Sequence, residues 1–304
     1  MLNKWFVIVN PTSGNGTAKK KWFYIYNELI QQKFNFEYSF TKYEKHSSEL
    51  IQKGIYEGFT KFISVGGDGT LHNLVNGVLN LNPKNISAIK IGIIPIGTGN
   101  DWVKTYHIPK DYKKAIQIIK NENTIKQDIG KITIKTNNKV IYFNNLAGIG
   151  FDAYIVNKVN KYKYLGFIAY ITAALVSLTS YKKATLKITV NNIVIKNKTL
   201  MLLIGICSYC GGGLQLTKNP NPVDGLFDIS YINKINLVNL VLNLPSLFNG
   251  KITHRKFIHT YKTSYIEIKV LDRKKTYIQA DGELIGSGDF SVSLLKEALS
   301  FIIP

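Results

Sequence analysis

Apolar runs, glycine turns and amphipathic segments repeat in that order through the first 127 residues. Three runs lead directly into turns that contain glycine: Trp5 to Val9, Phe62 to Val65 and Ile89 to Pro95. Behind the second turn, apolar residues recur at the spacing of a helix face: Leu71, Leu74, Val75, Val78 and Leu79. This alternation predicts an α/β domain with a mainly parallel sheet, in which the three turns meet at the carboxyl ends of the strands.

Beyond residue 128 the pattern changes to short alternating runs with asparagine turns. Two pairs of runs flank Asn137-Asn138 and Asn191-Asn192, and further runs follow at Leu200 to Ile206, Phe227 to Ile232, Ser264 to Val270 and Thr276 to Ala280. Such runs are typical of antiparallel β structure. No low-complexity linker separates the two halves, so we expect two packed domains with a cleft between them.

A long helical stretch from about Tyr154 to Tyr181 interrupts the strands. Its part Tyr164 to Ser180 carries no charge over 17 residues, which is marginal for crossing a membrane. Hydroxyl residues in its second half and lysines at both ends favour a buried or interfacial helix. Leu237 to Leu247 is a second apolar stretch, and packing against a core stays open as the explanation for both.

The charge balance is strongly basic. With 304 residues the chain is long enough for two domains, and 39 Lys and Arg against 19 Asp and Glu give a formal charge of +20. Only Arg255 and Arg273 are arginines, and base-reading proteins rely on arginine, so no nucleic-acid partner is expected. Attraction to an anionic membrane and a merely lysine-rich composition remain equally open.

Cys207 and Cys210 are spaced C-x-x-C, but the pattern favours neither a redox site nor a zinc site. They end a strand-like run in which positions three apart point to opposite faces, and no second ligand pair exists. Two reduced thiols suit a cytoplasmic protein. Trp5 to Val9 is too short for the apolar region of a signal peptide, so we expect the protein in the cytoplasm.

The turn Gly66-Gly67-Asp68-Gly69-Thr70 carries the most chemical information. Its glycines stand between a strand-like run and a helix-like segment, where free backbone N–H groups and the helix dipole favour a phosphate. Asp68 supplies a carboxylate for an accompanying magnesium ion. Gly14-Asn15-Gly16 lacks the third glycine of a dinucleotide fingerprint, and no G-x-x-x-x-G-K-[ST] occurs. The turn therefore indicates a rarer nucleotide site.

Four separated motifs, in order and in register, make the resemblance to a family specific. They are Asn10-Pro11-x-Ser13-Gly14, Gly66-Gly67-Asp68-Gly69-Thr70, Pro95-x-Gly97-Thr98-x-Asn100-Asp101 and Asp281-Gly282-Glu283. Together they resemble the diacylglycerol kinase catalytic family, in its soluble bacterial lipid kinase branch. The resemblance covers essentially the whole chain. It implies transfer of the γ-phosphate of ATP to a lipid hydroxyl, with Mg²⁺ required, at the inner face of the membrane.

The resemblance also implies an architecture. An ATP-binding α/β domain would span residues 1–127, and a C-terminal antiparallel β-sandwich would span residues 128–287. The last strand and helix, from about Phe290 to Ile303 within residues 288–304, would return to the first domain. A homodimer is left open as a further partner.

Most of the predicted ATP-binding residues lie in three turns. By resemblance they are Asn10, Pro11, Thr12, Ser13, Gly14, Thr41, Gly66, Gly67, Asp68, Gly69, Thr70, Leu71, His72, Gly97, Thr98 and Asn100. Thr41 enters because it precedes His46 in a Thr-x-x-x-x-His pattern similar to that of the family.

The catalytic residues are predicted among four carboxylates. Phosphoryl transfer needs charge neutralisation and one base for the proton of the acceptor hydroxyl. Glu283 is the candidate base, because it follows Asp281-Gly282 at a strand end and the family has its proton acceptor there. Asp68 and Asp101 would organise the catalytic Mg²⁺, supported by Asp281. A turn carboxylate without catalytic function is the alternative for Glu283.

A second, structural magnesium ion is predicted in the segment that ends in Asp224-Gly225. The family commonly has two consecutive acids there, whereas this chain has Val223 before Asp224. The ligands by resemblance are the backbone carbonyls of Asn221 and Leu226 with the Asp224 carboxylate. A plain turn is the alternative.

The sequence departs from the family pattern at two further places, and several functions stay open. His72-Asn73 replaces a polar residue and a glutamate, and Trp102-Val103 replaces an aromatic-alanine pair. Diacylglycerol is the default acceptor, but monoacylglycerol, a sphingoid base, phosphatidylglycerol and an isoprenoid alcohol remain open. NAD kinase, which also uses a Gly-Gly-Asp-Gly-Thr loop, and a non-catalytic lipid-binding protein are the alternative functions.

Overall fold

The structure is a computed structural model that describes residues 3–159, 176–178, 181–233, 235, 237–272 and 275–304. The predicted helix from Tyr164 to Ser180 lies outside these residues except at 176–178. Within the described ranges, no helix has the length and the apolar character needed to cross a membrane. The chain divides into two units, which are Met1–Gln127 with Glu297–Pro304 (unit 1) and Asp128–Lys296 (unit 2).

Unit 1 contains a parallel sheet in the strand order β2-β1-β3-β4-β16. Its strands are β1 (Trp5–Val9), β2 (Phe36–Phe40), β3 (Lys61–Gly66), β4 (Lys90–Pro95) and the end of β16 (Phe290–Ile302). Its helices are α1 (Thr17–Gln31), α2 (His46–Tyr56), α3 (Asp68–Leu81), α4 (Asp101–Thr105) and α5 (Tyr112–Asn121). The α/β architecture predicted from the alternating pattern is confirmed.

Helices cover both faces of this sheet, which is why the inner strands β1, β3 and β4 are buried almost throughout, whereas β2 at the edge is partly exposed. Every residue of β1 is buried. Trp5 and Val7 pack in one core with Trp22 of α1 and Ile116 of α5, and Phe6, on the other face, lies against α2. A strand that is buried on both sides reads as a continuous hydrophobic run rather than as an alternating one.

Unit 2 consists of two antiparallel sheets. One has the order β12-β11-β10-β7-β14-β15, and the other contains β5, β6, β8, β9, β13 and the first part of β16. The rings of Phe143 on β6 and Phe227 on β11 stack with centroids 5.8 Å apart, so the two sheets share a core. The predicted antiparallel β-sandwich is confirmed.

The strands of unit 2 have the following bounds: β5 (Thr124–Ile134), β6 (Lys139–Phe143), β7 (Leu146–Gly150), β8 (Ala184–Val190), β9 (Ile193–Thr199), β10 (Met201–Gly205), β11 (Phe227–Ile232), β12 (Ile258–Thr263), β13 (Tyr265–Val270), β14 (Tyr277–Ala280) and β15 (Glu283–Ser287). Helices α6 (Phe151–Val159) and α7 (Leu237–Leu242) accompany them, with 3-10 turns at Leu244–Leu247 and Lys251–His254.

The asparagine turns form as predicted, whereas the last segment of the chain has a different structure from the predicted one. Val190 pairs with Ile193, and the two residues between them, Asn191 and Asn192, have φ angles of 47° and 65°, as a two-residue type I′ hairpin requires. The last segment was expected to contain a strand and a helix. The helix prediction was wrong, because Phe290–Ile302 is one long strand that supplies hydrogen-bonding partners to β13 and β4.

Candidate active site

Three turns of unit 1 meet at one edge of its sheet. They follow β1, β3 and β4, and the carboxyl ends of neighbouring parallel strands necessarily lie side by side. The backbone joins them directly, because Asn10 N–H donates to the Val65 carbonyl at 3.0 Å and Ile96 N–H donates to the Gly66 carbonyl at 2.8 Å. The predicted convergence of these turns is therefore observed.

Asn10 organises the first turn and attaches it to helix α3. Its Nδ2 donates to Thr70 Oγ1 at 3.0 Å. Its Oδ1 accepts hydrogen bonds from the Thr12 N–H at 3.2 Å and from the Thr12 hydroxyl at 2.8 Å. A single amide side chain thus links two of the predicted phosphate-binding turns.

The second and third turns touch through glycine backbones. A Cβ atom built on Gly97 would lie 2.5 Å from the Cα atom of Gly67, closer than real Cβ atoms approach other atoms. Asn100 fixes the third turn, since its Oδ1 accepts from Gly97 N–H at 2.9 Å and its Nδ2 donates to Gly97 O at 2.7 Å. Glycine is needed here because the two backbones must pack together.

The carboxylate of Asp68 caps a helix that begins 33 residues later. Its Oδ2 accepts from Asp101 N–H and its Oδ1 accepts from Trp102 N–H, both at 3.1 Å. These are the first N–H groups of α4, which no residue within that helix can satisfy. Asp68 therefore stabilises the position of Asp101 and also adds its own negative charge at the start of α4.

Asp68 and Asp101 present carboxylate oxygens to one small space beside Gly99. The position of a Cβ atom on Gly99 would be 3.2 Å from Asp68 Oδ2 and 3.6 Å from Asp101 Oδ2. Lys104 also approaches this pair, with its Nζ 2.7 Å from Asp101 Oδ1. Carboxylate oxygens are the donors that Mg²⁺ prefers, but Lys104 already neutralises Asp101, so the catalytic ion at this space stays a prediction.

The other predicted ATP residues surround these turns with different exposures. Thr12 and Thr98 are exposed, Pro11, Ser13, Gly14, Thr41 and Gly69 are half-buried, and Thr70, Leu71 and His72 are buried. Thr41 continues the pairing of β2 with β1, because its N–H donates to the Val9 carbonyl at 2.8 Å. His72 packs beside Asn76, whose Nδ2 donates to the His72 carbonyl at 2.9 Å.

A solvent-open depression of about 660 Å³ adjoins the first turn. Its lining includes the predicted residues Pro11 and Thr12, and also Lys19 and Phe40. Sequence reasoning missed the last two, because a lysine on a helix and an aromatic residue in a strand carry no local signal. A cation and an aromatic ring beside a predicted phosphate-binding turn suit a nucleotide.

In unit 2, Asp281 and Gly282 form the two-residue turn between β14 and β15. Their φ angles are 50° and 82°, and Ala280 pairs with Glu283 across the turn, as in a type I′ hairpin. The Asp281 carboxylate accepts three backbone N–H groups, from Asn144, Asn145 and Leu146, at 2.9 to 3.1 Å. Asp281 therefore anchors the turn that presents the half-buried Glu283, and its supporting role for a metal stays a prediction.

The segment predicted to hold a second magnesium is a turn whose acidic side chain is engaged. Asp224 Oδ1 accepts from Leu226 N–H at 3.0 Å, and Asp224 Oδ2 lies 3.0 Å from Lys262 Nζ. The same ammonium is 3.5 Å from Asp228 Oδ2. A metal ion bound to Asp224 would have to displace Lys262, so the Asn221, Asp224 and Leu226 ligand set stays a prediction.

Two family models match the chain. The diacylglycerol kinase catalytic domain matches residues 4–132, and the YegS C-terminal NAD kinase beta sandwich-like domain matches residues 145–303. The second match alone spans more than half of the chain. The two matches follow each other along the chain in the order of its α/β and antiparallel parts.

Similar proteins agree with these matches. A diacylglycerol kinase of Staphylococcus aureus is 30% identical, over 92% of this chain and 86% of the relative. A diacylglycerol kinase of Staphylococcus carnosus is 28% identical, over 98% of this chain and 94% of the relative. The crystal structure of a diacylglycerol kinase from Bacillus anthracis has the same fold, with a TM-score of 0.74 over 99% of this chain and 97% of that chain at 21% identity. The chain therefore belongs to the diacylglycerol kinase catalytic family and is a lipid kinase, as its motifs predicted.

Proposed function

We propose that the protein transfers the γ-phosphate of ATP to the hydroxyl group of diacylglycerol and so forms phosphatidic acid. The observation that carries the proposal is the junction of three glycine turns at one sheet edge, with two carboxylates beside them. The relatives named diacylglycerol kinase, which match nearly the whole chain, support this acceptor.

The turns of unit 1 bind the phosphates of ATP. Gly16 and Gly67 occupy the N-cap positions of helices α1 and α3, and neither of these two helix starts has a capping side chain. The helix dipole favours an anion at both starts, although the N–H groups of Thr17 and Ala18 in α1 already donate to the carbonyls of Gly14 and Ser13. Lys19 adds a positive charge beside the first turn, in the depression that it shares with Phe40.

Asp68 and Asp101 hold a magnesium ion in the space beside Gly99. The ion supplies neutralisation of the phosphate charge when it is bound. The protein contributes a fixed geometry, because the Asp68 carboxylate accepts the N–H groups of Asp101 and Trp102 and so orients both acids. Such preorganisation is more effective than charge alone.

Glu283 accepts the proton of the lipid hydroxyl. It stands at the first position of β15, directly after a turn whose Asp281 is anchored by three backbone N–H groups. A base on a rigid hairpin keeps its orientation while the proton moves. Asp281 acts here by positioning Glu283.

The lipid acceptor brings the protein to a membrane surface. A formal charge of +20, carried almost entirely by lysine, attracts the protein to anionic lipids without insertion. Peripheral binding of this kind suits an enzyme whose second substrate resides in the bilayer.

The test is a turnover assay with labelled ATP and Mg²⁺ and a panel of lipid hydroxyls. The panel contains diacylglycerol, monoacylglycerol, a sphingoid base, phosphatidylglycerol and an isoprenoid alcohol, with NAD as a further acceptor. We expect labelled phosphatidic acid as the main product, and loss of turnover with nearly intact ATP binding in Glu283→Gln. Glu267→Gln, which alters a carboxylate that pairs with Lys135, is the control. Main labelling of another acceptor, or turnover in Glu283→Gln equal to wild type, contradicts the proposal.

A further inference from the structure

Gln279 connects the Asp281-Gly282 turn to the start of helix α6. Its Oε1 accepts a hydrogen bond from Gly282 N–H at 3.0 Å, and its Nε2 donates to Asp152 Oδ2 at 3.1 Å. Gln279 is 4% exposed and Asp152 is 8% exposed. A buried amide therefore joins the turn to a carboxylate 127 residues earlier in the chain.

The fold makes room for this contact at Gly148. Gly148 pairs with Gln279 across β7 and β14. A Cβ atom on Gly148 would lie 2.0 Å from Asp152 Oδ2, so a residue with a side chain cannot stand there while Asp152 reaches Gln279. The contact thus depends on a third residue that has no side chain.

The hairpin of β14 and β15 is irregular at Gln279. The register between β14 and β15 shifts between Ile278 and Gln279. Such an irregularity redirects a side chain and disrupts the local hydrogen bonds between the two strands. Side-chain hydrogen bonds therefore fix the turn on both sides, those of Asp281 to residues 144–146 and that of Gln279 to Gly282.

Asp152 depends on Gln279 for its side-chain contact. In the described residues Asp152 Oδ1 has no hydrogen-bond partner, and burial raises the pKa of the carboxyl group to about 6. The Gln279 amide orients this buried carboxylate together with the backbone N–H groups of Asp152 and Ala153, and the carboxylate orients the amide in return.

We propose that Gln279 is a positioning residue for the reaction, which transmits the fixed position of Asp152 to the turn that presents Glu283. The inference rests on the proposed function, since it takes Glu283 as the proton acceptor. Gln279 does not touch the reacting groups. It sets the direction in which the first residue of β15 leaves the turn, and small displacements of a catalytic group are costly.

The experiment exchanges the two partners. Gln279→Glu removes the amide donor and places two carboxylates together. We expect kcat to fall about tenfold or more while the KM for ATP changes less than about twofold. The double variant Asp152→Asn with Gln279→Glu restores an amide against a carboxylate and leaves an oxygen for Gly282 N–H. We expect it to recover kcat to within about threefold of wild type.

Two measurements separate positioning from a loss of folding. Thermal unfolding of each variant reports the fold. Hydrogen exchange of the Gly282 amide reports the contact itself, and we expect exchange to be about tenfold faster in Gln279→Glu and to be restored in the double variant. Glu267→Gln, which alters a carboxylate paired with Lys135 and does not touch this contact, is the control and should keep wild-type kcat and Gly282 exchange.

The outcomes distinguish this inference from the proposed function. Wild-type kcat in Gln279→Glu, or a folded double variant without recovery, overturns the inference while the lipid kinase assignment stands. If Glu283→Gln keeps full turnover, the assignment of the base fails and the positioning role falls with it. If kcat and Gly282 protection fall and recover together, the inference holds.

Discussion

The backbones of Gly67 and Gly97 pack together so closely that a Cβ atom on Gly97 would lie 2.5 Å from the Cα atom of Gly67. These residues belong to two turns that follow neighbouring strands, β3 and β4. The contact fixes the distance between the turn that begins α3 and the turn that begins α4. The proposed ATP site therefore depends on two residues that contribute no side chain.

Gly97→Ala is expected to damage both stability and ATP binding. The added methyl group meets backbone, which cannot rotate away, so we expect destabilisation by about 1 to 3 kcal/mol and weaker ATP binding. Thermal unfolding and calorimetric titration with ATP measure the two effects. Gly286→Ala is the control, since its Cβ atom meets only the tip of the Ile134 side chain. Equal ATP affinity in wild type and Gly97→Ala would show that the close approach does not shape the site.

Asp68→Ala and Asp111→Ala are expected to separate capping from catalysis. Asp68 caps α4, and Asp111 caps α5 by accepting from Lys113 N–H and Lys114 N–H. Each substitution should cost about 1 kcal/mol of stability through the lost cap. Only Asp68→Ala should also lower kcat, by about a hundredfold or more, because the proposed Mg²⁺ loses a ligand. Similar kcat values in the two variants would assign Asp68 a structural role alone.

Asp152 is expected to make stability depend on pH. Burial raises its pKa in the folded protein to about 6 from 3.8, so the folded state binds more protons than the unfolded state between these values. Wild type should lose stability relative to Asp152→Asn as the pH rises through this window, by about 3 kcal/mol, and the difference should stay constant above pH 6. Tyr181 faces Asp152 with a raised pKa and remains neutral throughout. Unfolding of both variants from pH 3.5 to 7.5 measures this, and a constant difference would contradict it.

Lys262→Met tests the turn predicted to hold a second magnesium ion. Without the ammonium, Asp224 and Asp228 lose the cation that lies 3.0 and 3.5 Å from them. We expect a lower melting temperature than in wild type without Mg²⁺. On adding MgCl₂ the free energy of unfolding should rise more than in wild type, by an amount that approaches about 3 kcal/mol at a hundredfold excess over Kd. Lys135→Met, which breaks the ion pair with Glu267, is the control. The same response to Mg²⁺ in both variants would argue against a metal at Asp224.

Binding to membranes is expected to depend on salt. The Debye length falls to about 10 Å at 0.1 M salt, so attraction between exposed lysines and anionic lipids weakens as salt is added. Sedimentation with vesicles of phosphatidylglycerol at increasing NaCl measures the effect, and phosphatidylcholine vesicles are the control. Binding that does not change with salt, or no binding, would reduce the charge of +20 to a feature of composition.

The local pattern of residues predicted much of the architecture. The apolar run from Trp5 to Val9 predicted a strand of an α/β domain, and the Asn191-Asn192 pair predicted a turn between antiparallel strands; both are observed. Both depend on neighbours in sequence, which is why they can be read from it. The helix expected at the chain end came from the resemblance to the family and was wrong, because Phe290–Ile302 is one strand that pairs with β13 and β4.

By itself, the sequence indicated the α/β and antiparallel halves of the chain and its family, because glycine turns and periodic apolar positions are local properties; the residues assigned to phosphoryl chemistry stay a prediction. Only the tertiary structure decided that Asp68 caps α4, that Asp281 holds residues 144–146 and that Gln279 meets Asp152. These contacts join residues 33 to 137 positions apart. Their geometry is set by sheet register and backbone packing, which no local pattern specifies.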